Sequence, residues 1–210
     1  MWSHTRSDVR TCVTPDGGAA FGRRRPYSRI LSNKVTKRDV IWKVAYLAVA
    51  GAVFMLDQST KAWAAQRLRF DGDWPVIPGF LNFSYAYNTG VAFSMFDQQG
   101  DPGRWGLSIV AIAAGVLVLY FFWRTPRSDD RILGALALLL AGIAGNVTDR
   151  LRLGYVIDFI DVQFGSWHYP TFNVADAAIC IGAGLLILDV FLSKRRQKSE
   201  VRNQKADVIG

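Results

Sequence analysis

Asp158 and Asp176 lie 18 residues apart, each in apolar company. Asp158 stands within Gly154-Tyr-Val-Ile-Asp-Phe-Ile, and Asp176 within Asn173-Val-Ala-Asp-Ala-Ala-Ile at the mouth of a long apolar run. Two carboxylates brought together in a poorly solvated place cannot both ionise, so one keeps a proton and the other is a base. Such a pair can activate water against a peptide carbonyl and protonate the departing amine. It can equally relay protons. Each residue also has a blander reading. Asn173 is a favoured N-cap, and an acid three residues on complements the positive end of a helix, so Asn173 and Asp176 alone read as a cap. No cap accounts for Asp158, set among Tyr155, Val156, Ile157, Phe159 and Ile160 in a strand-like stretch.

Further polar groups fall close to these two. Asp57 and Lys61 are four apart, hence on one helical face, and read as an ion pair. Asn146, Asp149 and Arg150 close another apolar run in Gly145-Asn-Val-Thr-Asp-Arg, and Asp161 follows Asp158 in the connecting segment. Other constellations carry less. Ser59 and Lys61 are two apart and point to different helical faces, which argues against a Ser–Lys nucleophile. With only His4, His168, Cys12 and Cys180 there is no zinc-ligand set, and no metal or other cofactor is expected. Gly142 and Gly145 read as helix-packing surfaces.

The elements that must position these groups are long and apolar. Uncharged runs span 44–56, 105–123 and 132–148, and a fourth, 177–193, is broken only by Asp189. A hydrocarbon core of about 30 Å takes roughly 20 helical residues. The first run is short, and extends to about 39–60 if Lys43 snorkels to the interface, where Asp189 is also expected. Four membrane-spanning helices result.

The net charge of +8 is unevenly spread. Residues 1–43 hold ten Lys/Arg against three Asp, 194–210 hold six against two acids, and 124–131 hold three in eight residues. Segments 57–104 and 150–173 hold four among 48 and two among 24. This alternation is the positive-inside pattern: both termini and the 124–131 loop cytoplasmic, the other two segments outside. All the polar groups above then share one side of the membrane at similar depth. No basic stripe with interleaved aromatics lies outside the cytoplasmic flanks, so nucleic acid is not an expected partner. Cys12 and Cys180 fall apart in this topology and do not suggest a disulfide.

Residues 1–38 read as a basic, disordered cytoplasmic tail and not as a cleavable signal peptide; 194–210 read as a second basic tail, leaving 39–193 as the membrane domain. Between the first two spans, Leu81, Phe83, Tyr85 and Tyr87 alternate with Asn82, Ser84, Ala86 and Asn88, a strand entering a turn at Asn88-Thr-Gly, with 91–96 as a second strand. Such a sheet cannot cross lipid and is placed at the outer surface, with Trp74, Trp105, Trp167 and Tyr169 as interfacial anchors. The fold class is thus an all-α polytopic membrane protein with a small extracytoplasmic β-sheet.

Five motifs occur in order: Asp57-Gln-Ser-Thr-Lys61, Asn88-Thr-Gly-Val-Ala-Phe-Ser94, Gly145-Asn-Val-Thr-Asp-Arg150, Gly154-Tyr-Val-Ile-Asp-Phe159 and Phe172-Asn-Val-Ala-Asp176. Together, over about residues 40–193, they resemble the bacterial lipoprotein signal peptidases (signal peptidase II). The resemblance implies an aspartyl endopeptidase of the bacterial inner membrane with four spanning helices and an outer β-cradle. It implies cleavage of prolipoproteins just before a diacylglyceryl cysteine, in contact with membrane lipids. It gives Asp158 and Asp176 as the dyad. Asp57, Lys61, Asn88, Gly90, Asn146, Asp149, Arg150 and Asn173 become supporting or substrate-binding positions. The aromatic strand face would rest on lipid or cover substrate. The alternative from another class is a small proton-coupled transporter or channel component using the same carboxylates, disfavoured because the acids cluster at one face. Oligomeric state is left open.

Overall fold

A computed structural model describes residues 37–90, 101–165 and 167–209. Helix α1 spans Lys37–Asp71, β1 Trp74–Ile77, β2 Leu81–Asn88, α2 Asp101–Arg124, α3 Asp130–Arg152, β3 Val156–Phe164, β4 Trp167–His168 and α4 Val174–Ile209. All four helices are long and apolar enough to cross a membrane. The strand expected over 91–96, most of the tail before α1 and the last residue lie outside the described residues.

Helix α3 is central: half of its apolar span is buried, against 11–17% for the other three. Small residues let neighbours come close. A side chain at Gly142 would strike the carbonyl of Ala175 in α4, and one at Gly182 would stand 2.8 Å from the carbonyl of Ala135 in α3. Close backbone approach of this kind is how helices associate in lipid, where apolar surface gives no preference for protein over acyl chain. Lower down, Ala50, Phe122, Leu133, Leu136, Ala137 and Ala141 form a buried cluster joining α1, α2 and α3.

Helix α1 runs well past the expected end near residue 60. Ala, Gln, Arg and Leu in 61–71 favour helix, and Ala64 and Leu68 gain a buried surface against the sheet. Gly72, at φ +82°, then turns the chain out, as a glycine just beyond a helix commonly does. Lys43 also departs from expectation. It is buried, and its Nζ donates to the carbonyl of Trp123 at 2.6 Å, supplying one of the last-turn acceptors of α2 with a partner. Asp189 lies 3.7 Å from Arg131 in a partly exposed ion pair. Helix α4 continues unbroken to Ile209, through the segment read as a tail.

The four strands form an antiparallel sheet in the order β1-β2-β3-β4. Its central pair aligns Leu81 with Val162 and Asn88 with Val156, but the register shifts between Phe83 and Ala86. That bulge places one extra residue in β2, so the three-residue step from Phe83 to Ala86 spans only the two-residue step from Ile160 to Asp158 in β3. Asn82 pairs with Asp161; Asn88 belongs with Asp158. On the other face of β3 from Asp158, Ile157 and Phe159 pack on Ala64 and Leu68 of α1, with Phe83 and Tyr85 beside them. The aromatic strand face therefore rests largely on α1, with Tyr87 left exposed against Tyr85 and Tyr155.

Candidate active site

Asp158 is held from both sides. Asn173 Nδ2 donates to its Oδ1 at 2.6 Å and Asn88 Nδ2 to its Oδ2 at 2.8 Å. Strand alternation explains its direction: with Ile157 and Phe159 drawn to α1, the residue between them must face the helix bundle. Burial pushes its carboxyl up from 3.8 to about 6, and the nearby Asp176 charge adds to that; the Asn88 and Asn173 donors and Lys61 oppose it.

Asp176 is aimed by the start of α4. Its backbone N–H donates to Asn173 Oδ1 at 2.9 Å, and its own Oδ2 accepts the Asn173 N–H at 3.3 Å. This is a reciprocal cap, with aspartate in place of the more usual glutamate. Asn146 Nδ2 donates to the other oxygen, Oδ1, at 2.7 Å. Asn173 thus serves both as helix cap and as the bridge between the carboxylates. One side-chain amide ties Asp158, Asp176 and, through a 3.2 Å bond, Asn146.

Beneath this layer lies a buried charge network. Lys61 Nζ sits 2.9 Å from Asp57 and 2.9 Å from Asp149, and donates to Asn146 Oδ1 at 3.0 Å. Asp57 also accepts the N–H of Ala175 at 2.9 Å, and Asp149 the N–H of Ile157 at 3.3 Å. The ion cluster therefore fixes the start of α4 and the start of β3, the two segments that carry Asp176 and Asp158. Asp57 and Lys61 lie mid-helix, not at the end of α1 as expected, because α1 extends onto the sheet. Gln58 was missed by sequence reasoning: its amide reaches Asp57 at 3.2 Å, Asp149 at 3.1 Å and the Gly145 carbonyl at 3.4 Å. Its position beside Asp57 in the first motif was the available signal.

Arg150 flanks the pair. Its Nη1 donates to the Asn146 carbonyl at 3.4 Å, while its buried Nε has no partner among the described residues. Gly90 has φ +84° and donates its N–H to Asn88 Oδ1 at 2.8 Å; a side chain there would strike Leu107 and stand 3.6 Å from Arg150 Nη2. All ten expected site residues converge. Asp161 does not: it turns away to Asn82, Gln163 and His168 at 3.3, 3.0 and 3.2 Å. Burial raises its carboxyl, but these three donors outweigh that and hold it below the usual range.

A bundle of membrane-spanning helices that carries a bridged carboxylate pair, backed by buried ion pairs, is the architecture of a membrane aspartic peptidase. The signal peptidase (SPase) II family matches residues 49–192. Relatives named lipoprotein signal peptidase agree. That of Alteromonas mediterranea is 39% identical over 74% of this chain and 85% of its own length. Those of Syntrophus aciditrophicus and Teredinibacter turnerae are 42% and 44% identical, covering 74% and 73% of this chain and 97% and 90% of theirs. A solved bacterial membrane enzyme, obtained by the in meso method, is 32% identical with a TM-score of 0.63, over 71% of this chain and 89% of that one. The chain belongs to the signal peptidase II family, aspartic-type peptidases that act on lipoprotein signal peptides, and is a multi-pass protein of the bacterial inner membrane.

Proposed function

We propose that this peptidase cuts prolipoproteins just before a diacylglyceryl cysteine, with Asp158 and Asp176 as its catalytic residues. The observation that carries the reading is the double engagement of Asn173, which bonds Asp158 while exchanging hydrogen bonds with Asp176. Asp158, with its raised carboxyl, holds the shared proton; Asp176, fixed at the start of α4, is the base.

In the reaction, Asp176 takes a proton from a water lying between the carboxyls, and the oxygen attacks the scissile carbonyl. Asp158 gives its proton to the carbonyl oxygen, producing a tetrahedral diol. Collapse of the diol breaks the C–N bond as the proton on Asp176 passes to the departing amine, and Asp158 recovers its proton from the diol hydroxyl. One water is consumed, one acid and one amine leave, and no covalent enzyme intermediate forms. Asn88, Asn146 and Asn173 are positioning residues, while Arg150, whose Nε has no partner among the described residues, offers donors to the substrate backbone.

The charge asymmetry supports a site at the outer face, with both termini and the α2–α3 loop cytoplasmic. A substrate can then leave its acyl chains in the membrane while its cysteine reaches the dyad. The family placement leaves the proton-transport reading without support. The test uses detergent-purified protein and a diacylglyceryl-modified prolipoprotein, with the shortened product followed on a gel. Wild type should cleave, with or without chelator, and Asp158→Asn and Asp176→Asn should each lose at least about a thousandfold in rate, the scale of a lost acid–base group. Cleavage that survives both substitutions would remove the dyad and return Asp176 to being a cap.

A further inference from the structure

The face of the sheet turned away from Asp158 carries a cavity that the peptidase chemistry does not use. Its volume is about 540 Å³, and it lies where the end of α1 turns through Gly72 into β1. Trp63 and Trp74 line it, their ring centroids 6.0 Å apart. Trp63 is fixed behind by Phe83 and Phe159, at 5.5 and 6.4 Å. Arg67 and Asp71, four apart on one face of α1, and Asp73 in the turn supply its charges. Among the described residues, no ion pair or side-chain hydrogen bond engages any of these three.

The depth of the cavity follows from helix length. Helix α1 has 35 residues, about 52 Å at 1.5 Å each, against a hydrocarbon core of about 30 Å. Its first turns are tied to the basic end of α2, with Lys43 on the Trp123 carbonyl and Arg127 4.5 Å from the Trp42 ring. About 20 residues beyond this anchor, α1 leaves the acyl region near residue 62. The cavity begins at the next turn, in the headgroup layer.

Its chemistry is that of a zwitterion receptor. An anion without a cationic group would satisfy Arg67 but face two carboxylates. A simple cation would satisfy the carboxylates but face Arg67. A phosphate joined to an ammonium meets both, with the ammonium over the indole faces and its N–H groups on Asp71 and Asp73. We propose that this cavity binds the headgroup of an ethanolamine-type phospholipid of the surrounding membrane. The site is independent of the catalytic reading, since its occupancy is read by binding and not by cleavage.

The test is native mass spectrometry of delipidated, detergent-purified protein. Ethanolamine, choline and glycerol phospholipids with identical acyl chains are added separately. The ethanolamine lipid should bind most tightly, and water-soluble glycerophosphoethanolamine should compete with it. Arg67→Ala and the double variant Asp71→Asn/Asp73→Asn should each weaken it about tenfold or more, the loss of a charge-assisted contact, while cleavage stays at wild-type rate. Trp74→Ala, at a side chain 57% exposed, removes a cavity wall without touching the buried packing and should weaken binding too. Equal binding of all three lipids, or ethanolamine lipid binding untouched in these variants, would overturn the proposal.

Discussion

Asp158 carries a pH dependence that can be measured. With its carboxyl at about 6 in the folded chain and 3.8 as the ordinary value, it stays protonated in a window where an unfolded aspartate is charged. Its contribution to stability is full below about 4 and is lost as pH rises through about 6. The proposed proton donor is lost over the same range, so kcat/KM on a prolipoprotein should fall on an alkaline limb centred near 6. Asn88→Ala removes a donor that lowers this carboxyl, and should move that limb to higher pH. A limb that does not move would deny Asp158 the role of acid. Lys61 answers to a different measurement. It is 2% exposed and balances Asp57 and Asp149, so Lys61→Met leaves two carboxylates buried without their cation. The expected cost is about 3–5 kcal/mol, read by denaturant unfolding in detergent. Asp158 was legible in the sequence because no bland role fitted a carboxylate in an apolar strand. Lys43 was misread, since nothing in its own neighbourhood shows that the end of α2 would lie against it.

At the scale of elements, the α3–α4 contact sets the distance between the groups that flank the dyad. A methyl at Gly145 would strike Asp57 Oδ2 and stand 3.1 Å from the Ala175 side chain, so Gly145→Ala should lower stability by about 1–3 kcal/mol and reduce cleavage. A methyl at Gly51 would meet no neighbour within 4 Å, and Gly51→Ala on α1 should keep wild-type melting and rate. Since alanine is the better helix former, matching losses in the two variants would show that the close contact at Gly145 is not what governs. The four spans and the order of their motifs could be read from apolar run length, because lipid imposes that length directly. The end of α1 could not, since residues 61–71 are helical partly through burial on strands distant in sequence. Nor could the bulge in β2: strict alternation gives no sign of the extra residue between Phe83 and Ala86 that shifts its register on β3.

The whole molecule is asymmetric across the membrane. The sheet and the dyad lie at one end of the bundle, and the Lys43–Trp123 and Arg131–Asp189 contacts at the other. With the native cysteines replaced by serine, a cysteine at Trp167 should react with an impermeant maleimide added to intact spheroplasts, and one at Ser128 only after lysis. The reverse pattern would invert the proposed orientation. The same asymmetry separates in time what it joins in space. Asp57 and its donor at Ala175 are 118 residues apart, so at about 5–20 residues per second the ribosome needs about 6–24 s to supply the second after the first. Through that interval α1 must enter lipid bearing an acid and a base. Because Asp57 and Lys61 are one turn apart and 2.9 Å from each other, the nascent helix carries its own neutralising partner and need not wait for α3. The pair that later braces the dyad is first a passport for insertion, and the protease stays incomplete until its last span arrives.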